Sequence, residues 1–249
     1  MAFASKEYYG IEDLLEIVRL LRAPGGCPWD REQTHQSIRA NFIEETYEAI
    51  EAIDTGNLPL LQEELGDVLL QILLHAQMEA ETGAFSFADV VDGIAKKLIV
   101  RHPHVFADTV VQDSSEVLEN WDKIKQQTKD HKTHTQVLRS VSPALPALMR
   151  TAKIQKKARK LPEAARLPES PENALQTVRQ QLDRLTQSVA DGEVVGEQAG
   201  DFLFAVVDAV RLLGLEPEYT LTLACERFLT AFERQEQDMQ CPLSNNLHA

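Results

Sequence analysis

The fold of this chain is decided by two acidic stretches, Glu44-Glu45-Thr46-Tyr47-Glu48 and Glu63-Glu64-Leu65-Gly66-Asp67. Each has the form acid, acid, two spacers, acid. At about 100° of turn per residue, these three acids fall within an arc of about 100° on one helix face. The turn signal Asp54-Thr55-Gly56-Asn57 separates the stretches, so we predict helices at about 37–53 and 60–81 that pack antiparallel.

The carboxylates of two such helices would converge on one point. Bare like charges that close repel each other and lose hydration, so they are tolerated when the site holds cations or is partly protonated. All-oxygen ligation fits Mg²⁺ or Mn²⁺. The alternative is that Glu at helical spacing forms a solvated surface. Asp67, however, shares a helix face with Leu70 and Leu74, and a carboxylate on an apolar stripe needs a partner.

The remaining residues of these two helices predict where the core lies. In the first helix the core positions are predicted at Phe42, Ala49, Ile50 and Ile53. The second helix carries apolar residues on so many sides that it should be largely buried. No segment alternates apolar and polar residues long enough to force a strand, so we predict an all-α fold.

Composition limits the classes of function. The chain has 249 residues, 43% of them hydrophobic, with 11 Gly and 11 Pro, which is typical of a folded, helix-rich protein. A net charge of −14 argues against direct nucleic-acid binding through the surface as a whole.

The three cysteines are odd in number and widely spaced, so neither a disulfide framework nor a zinc site is indicated. No signal peptide or membrane span is expected, and we predict a cytoplasmic location.

The second half of the chain contains an echo of the first at an offset of 134 residues. Residues 63–70 correspond to residues 197–204, in which Asp67 becomes Asp201 and Glu64 becomes Gln198. The preceding helix is echoed more loosely at 180–184, where Gln180, Gln181 and Arg184 replace the acids of the first cluster. The second copy should therefore not hold a divalent cation well.

The repeat suggests a division into domains. We predict a catalytic helical domain at 1–122, a linker with a basic helix at 123–165, a degenerate helical domain at 166–240 and a disordered tail at 241–249. The basic run between 153 and 160 is either a solvated helix face or a contact with phosphates or with the acidic remainder of the chain. The second half would serve packing, dimerisation or regulation.

Several motifs resemble those of one known family. In addition to the two acidic stretches, which we call the acidic boxes, the motifs are Gly26-Cys27-Pro28-Trp29-Asp30, the stretch from Lys97 to Arg101, His102-Pro103-His104-Val105-Phe106 and Leu145-Pro146-Ala147-Leu148-Met149-Arg150. Together they resemble the MazG family of nucleoside triphosphate pyrophosphohydrolases over nearly the whole chain. The resemblance implies two tandem MazG-like helical-bundle repeats, the second of them degenerate.

The resemblance also implies an activity and a site. The family hydrolyses nucleoside triphosphates to monophosphate and pyrophosphate with Mg²⁺ bound in a helical bundle, and its members assemble through helix packing. The resemblance suggests a role in the housecleaning of nucleotide pools, although a broad triphosphate hydrolase would look the same. The long apolar helix here is more extensive than one short domain needs to cover itself, which supports a homodimer. Carried over by motif, the metal ligands are Glu45, Glu48, Glu64 and Asp67. Glu44 and Glu63 are candidates for orienting or deprotonating the attacking water. Lys97 and Arg101 would neutralise triphosphate oxygens.

Other interpretations remain open at this point. Trp29 could stack on a base or could be a packing anchor, and Lys97 and Arg101 could be ordinary surface charges. His35 and His75 lack an organised partner in the sequence and are predicted to be structural, whereas His102 and His104 should shape a turn around Pro103. The whole protein could also be a non-catalytic regulatory helical protein that binds Mg-nucleotide, or a scaffold whose acids decorate its surface.

Overall fold

The computed structural model describes residues 3, 5–107, 113, 116–117, 120–121, 133–161 and 167–238. Every regular element in these ranges is a helix, so the predicted all-α class is confirmed. The chain forms two compact units, Met1–Thr128 and Lys129–Ala249. The predicted tail at 241–249 lies outside the described residues, as do 123–132 and 162–166 of the predicted linker. Within the described ranges, no helix is both long and apolar enough to cross a membrane.

Unit 1 is built around one antiparallel helix pair. Its described helices are α1 (Ile11–Arg22), α2 (Pro28–Glu32), α3 (Arg39–Asp54), α4 (Leu58–Thr82), α5 (Phe87–Arg101) and α6 (Pro103–Phe106). α3 packs along α4, and the connection of three residues between them reverses the chain direction. Gly56 takes a left-handed φ of 67° in this connection, and the Asn57 side chain accepts a hydrogen bond from Leu60 N to begin α4.

The core of unit 1 lies where α1, the start of α3 and the second half of α4 meet. Its buried side chains are Val18, Ile38, Leu73, Leu74 and Met78. α1 and α2 are joined by a tight turn in which a Cβ on Gly26 would collide with the carbonyl oxygens of Leu20 and Leu21. Glycine is therefore required at this position, and the turn fixes where α2 begins relative to α1.

The predicted core of α3 is partly wrong. Ala49 is buried as expected and is joined by Ala52, but Ile50 is 42% and Ile53 is 61% exposed. Only one stripe of α3 meets α4. Glu45, Ala49 and Ala52 share that stripe, because Ala49 follows Glu45 by four residues and Ala52 follows Ala49 by three. Ile50 is turned about 100° away from Ala49. Ile53 lies in the last turn of α3.

Unit 2 contains a second helix pair. Its described helices are α7 (His134–Arg139), α8 (Ala147–Ala158), α9 (Pro171–Ala190), α10 (Gly196–Leu212) and α11 (Pro217–Asp238). α9 packs along α10, and α8 packs against both α10 and α11. α8 is thus part of unit 2, although the sequence places it in the segment 123–165 between the two domains. That unit 2 is a degenerate copy of unit 1 stays a prediction.

Polar side chains tie α8 to the rest of unit 2. Asp208 on α10 is only 2% exposed and accepts hydrogen bonds from Arg159 at 2.8 Å and Arg211 at 2.7 Å. Lys157 donates to the carbonyl oxygen of Val137 and to the hydroxyl of Ser140. Two residues of the basic run therefore make structural contacts inside the unit, which argues against a wholly solvated face.

Candidate active site

Three carboxylates meet where α3 and α4 pack together. Glu45 and Glu48 come from α3 and Glu64 comes from α4, and one oxygen of each lies within 4.8 Å of the others. Glu64 is 8% exposed, Glu45 is half-buried and Glu48 is exposed. The helical spacing therefore brings acids from both boxes to one point, with a buried acid at its base and an exposed one at its mouth.

The electrostatics of this cluster are those of crowded acids. The pKa of Glu45 is raised by burial first, then by the negative charge of Asp67 and by a hydrogen bond and the charge of Glu48. The pKa of Glu64 is raised by burial, then by the charges of Glu48, Asp67 and Glu63. Both groups therefore hold protons at a higher pH than ordinary glutamates do, because burial and the neighbouring negative charges disfavour their ionised forms.

The other predicted acids surround this cluster. Asp67 is half-buried one turn after Glu64 on α4, outside the group of three, yet close enough for its charge to act on both Glu45 and Glu64. Glu63 is exposed and acts on Glu64 through its charge. Glu44 is exposed on α3. Their assignments as ligand or catalytic groups stay predictions.

The donor set fits a hard divalent cation. All of the converging atoms are carboxylate oxygens, the ligands that Mg²⁺ prefers. At Mg–O distances of about 2.0–2.1 Å, two oxygens on opposite sides of Mg²⁺ lie about 4.2 Å apart, so a group that spans 4.8 Å needs only small side-chain rotations. A hard divalent cation such as Mg²⁺ or Mn²⁺ would compete with protons for these carboxylates, and its presence here stays a prediction.

The residues predicted to contact substrate lie on α2 and α5. Trp29 is 58% exposed, which disfavours its alternative role as a packing anchor. Lys97 is exposed and Arg101 is half-buried, four residues apart on α5, which packs against α4. Within the described ranges neither cation forms an ion pair, whereas the neighbouring Lys96 pairs with Asp92 at 2.6 Å. Two cations without an acidic partner are available to an anionic ligand.

Two histidine predictions have different outcomes. His102 ends α5, with its Nδ1 2.6 Å from the Leu98 carbonyl oxygen, as expected for a residue that shapes the turn. The prediction that His35 and His75 lack an organised partner is wrong. Their Nδ1 atoms lie 2.6 Å apart and His35 Nε2 lies 2.6 Å from Glu79 Oε1. This pairing joins residues 40 positions apart, so no local pattern could have indicated it.

Comparison with known proteins identifies the family of this chain. Residues 33–106, which include both acidic boxes, match the model of the MazG nucleotide pyrophosphohydrolase domain. Over 226 residues the chain is 38% identical to a nucleoside triphosphate pyrophosphohydrolase/pyrophosphatase MazG of Thermotoga maritima, covering 91% of this chain and 85% of that protein. The chain belongs to the MazG family of nucleotide pyrophosphohydrolases.

Two other proteins match over a similar range of this chain. A nucleoside triphosphate pyrophosphohydrolase of Escherichia coli K12 is 39% identical over 229 residues, which are 91% of this chain and 87% of that protein. An uncharacterized protein, YabN of Bacillus subtilis, is 41% identical over 230 residues, or 92% of this chain, but the chain spans only 47% of its length. The similarity to MazG proteins thus extends through both units and well beyond the 33–106 domain.

Proposed function

We propose that this protein hydrolyses nucleoside triphosphates to nucleoside monophosphate and pyrophosphate with the aid of Mg²⁺ or Mn²⁺. The observation that carries the proposal is the convergence of Glu45, Glu48 and Glu64 within 4.8 Å. Membership of the MazG family supports it, as do the names of the relatives from Thermotoga maritima and Escherichia coli, which specify nucleoside triphosphate substrates.

Each residue of the site has a part in the proposed chemistry. Glu45, Glu48, Glu64 and Asp67 would hold the cation, which when bound supplies charge stabilisation on the leaving pyrophosphate and a more acidic water. Glu44 and Glu63 are exposed beside the ligands, where either could orient the attacking water and accept its proton. Lys97 and Arg101 would bind phosphate oxygens. Trp29 would stack on the base.

The direct test is a turnover assay. Purified protein with Mg²⁺ and a panel of canonical and modified nucleoside triphosphates should release pyrophosphate rather than orthophosphate. Release of orthophosphate would contradict cleavage between the α and β phosphates. Metal-dependent nucleotide binding without any release would instead support the non-catalytic regulatory protein. The ranking of substrates would also test the predicted housecleaning of nucleotide pools.

Removing the cations of α5 should weaken substrate binding. We expect Lys97→Ala and Arg101→Ala each to raise KM for a triphosphate roughly 10-fold, which corresponds to about 1.4 kcal/mol per lost charge-assisted contact. Steady-state kinetics at fixed Mg²⁺ measure this. The matched control is Lys96→Ala, because that lysine pairs with Asp92 on the solvent side of the same helix. An equal rise in KM for all three variants would show that general surface charge is responsible.

We further propose that the protein is a homodimer formed through unit 1. Large apolar side chains remain exposed on α3, α4 and α5, among them Ile43, Tyr47, Ile50, Leu65 and Ile94. An apolar surface of this extent is unusual on a monomer and is typical of an interface. Light scattering at micromolar concentration should give twice the chain mass of 27.9 kDa, and the single chain mass would contradict the proposal. The cytoplasmic location stays a prediction.

A further inference from the structure

A pair of histidines bridges two parts of unit 1. His35 lies in the connection between α2 and α3, and His75 lies on α4. Their ring planes are nearly parallel, with an interplanar angle of 8° and centroids 4.9 Å apart, and their Nδ1 atoms are 2.6 Å apart. On its other side His35 Nε2 is 2.6 Å from a carboxylate oxygen of Glu79. We call these three residues the imidazole bridge.

The geometry of the imidazole bridge limits how many protons it can carry. Two Nδ1 atoms that face each other at 2.6 Å need one proton between them, donated by one ring and accepted by the other. His35 donates its Nε2–H to Glu79. This pattern is satisfied when both rings are neutral and when one of them is charged. A second added proton places two N–H groups and two positive charges face to face, which breaks the contact.

The imidazole bridge holds the segment 29–37, which carries Trp29, to α4. Arg22 of α1 also contacts this segment, since it donates to the carbonyl oxygens of Asp30 and Gln33 and forms a two-point ion pair with Glu81 of α4 at 2.9 Å. Within the segment, Gln33 Nε2 donates to the Trp29 carbonyl oxygen at 2.8 Å. A short hydrogen-bonded segment therefore connects His35 to α2.

We propose that His35 and His75 are positioning residues that hold the Trp29 segment against α4 and release it when the pair takes up a second proton. The imidazole bridge is separate from the acidic cluster, since His75 follows Asp67 by eight residues, or about 12 Å along α4. It acts on substrate through the placement of Trp29. The effect on substrate rests on the proposed function, whereas the release of the Trp29 segment from α4 does not.

The charges around the pair set the direction of the pH response. Burial lowers the pKa of His75, and the charge of His35 lowers it further. Glu79 faces His35 from α4, Arg22 on α1 and Glu81 on α4 neutralise each other beside the segment, and Phe42 of α3 covers the His75 ring at 5.6 Å. Because the folded state disfavours the charge on His75, the attachment is complete above the ordinary histidine pKa of 6.5 and weakens as pH falls below it.

The test follows the fluorescence of Trp29. The chain has two tryptophans, so a Trp121→Phe background leaves Trp29 as the only reporter. We expect its emission to change in one transition between about pH 6.5 and 5, while circular dichroism shows unchanged helix content. His75→Phe in the same background keeps an aromatic ring against Phe42 and should abolish the transition. His104→Phe removes a histidine outside the bridge and should leave the transition intact.

A second variant covers the case in which His75→Phe does not fold. Glu79→Gln keeps an acceptor for His35 Nε2–H but removes a negative charge beside the histidine pair, so the transition should move to lower pH. A pH-independent Trp29 emission in the background protein would overturn the proposal. So would a transition that is unaltered in His75→Phe or in Glu79→Gln.

Kinetics then separate the positioning role from the proposed activity. With an active enzyme at saturating Mg²⁺, KM should rise less between pH 6.5 and 5 in His75→Phe than in the background protein, with kcat at neutral pH changed less than twofold. An equal change in kcat and in KM would contradict a role confined to positioning. If no substrate is turned over, the proposed function fails, but the fluorescence transition still decides whether the imidazole bridge releases the segment.

Discussion

Glu64→Gln should reduce pyrophosphate release by about 10³-fold or more. Glu64 is the buried member of the carboxylate cluster, and its replacement leaves a neutral amide where the site needs charge to hold a cation. Losses of this size are typical when a preorganised electrostatic contact to the reacting group is removed. Initial rates of pyrophosphate release at saturating Mg²⁺ measure the effect. The substitution also gives unit 1 the residue that unit 2 has at the corresponding position, Gln198.

The matched control is Asp201→Asn in unit 2. Asp201 corresponds to Asp67 at the offset of 134 residues and is exposed on α10. If the site lies in unit 1, this variant should retain its rate within about twofold, because exposed substitutions away from the site have small effects. A large loss with Asp201→Asn and none with Glu64→Gln would move the active site to unit 2.

Mg²⁺ should raise the thermal stability of the protein, and the increase should be larger at neutral pH than at pH 5. A ligand that binds only the folded state at 100 times its dissociation constant contributes about 2.7 kcal/mol, or roughly 5–10 °C in Tm for a chain of this size. Protons compete with the cation for Glu45 and Glu64, so the benefit shrinks at low pH. Thermal melts with excess Mg²⁺ and with a chelator, from pH 5 to 8, measure both effects.

Without metal, the same two glutamates make stability fall as pH rises. Their pKa values in the folded protein lie above the ordinary 4.5, so between 4.5 and the raised values the folded state binds more protons than the unfolded state. In that interval the free energy of unfolding decreases with pH. Above the raised values the loss is complete and constant, apart from other titrating groups.

Glu64→Gln supplies the control for the metal effect as well. This variant removes one of the crowded charges, so in chelator it should lose less stability between pH 5 and 8 than the original protein. It should also gain little from Mg²⁺. A melting temperature that rises equally with Mg²⁺ in both proteins would indicate nonspecific screening instead of binding at the carboxylate cluster.

The sequence was sufficient to predict the helices that carry the acids. The predicted limits of 37–53 and 60–81 differ from α3 (Arg39–Asp54) and α4 (Leu58–Thr82) by at most two residues at each end. Turn residues and helical spacing are local signals, and they work here because Gly56 and Asn57 have the roles that their chemistry predicts. The convergence of acids from both boxes follows from the same local signals.

What the sequence could not predict depends on contacts between distant residues. Ile50 and Ile53 have the hydrophobicity of core residues, but which stripe of α3 is covered depends on its partner helix. The pairing of His35 with His75 requires the connection before α3 to pack against the far half of α4. α2 is a helix of only five residues, which has too few positions to show periodicity in the sequence.

The buried Asp208 of unit 2 has a consequence for how the two similar helix pairs avoid mixing during folding. At the offset of 134 residues Asp208 corresponds to Leu74, a core residue of unit 1. If α10 exchanged places with α4 and packed against α3, Asp208 would enter an apolar core with Arg211 of its own helix but without Arg159 of α8. A buried carboxylate that loses one of its two charged partners destabilises the packing around it. One carboxylate therefore disfavours a domain-swapped chain.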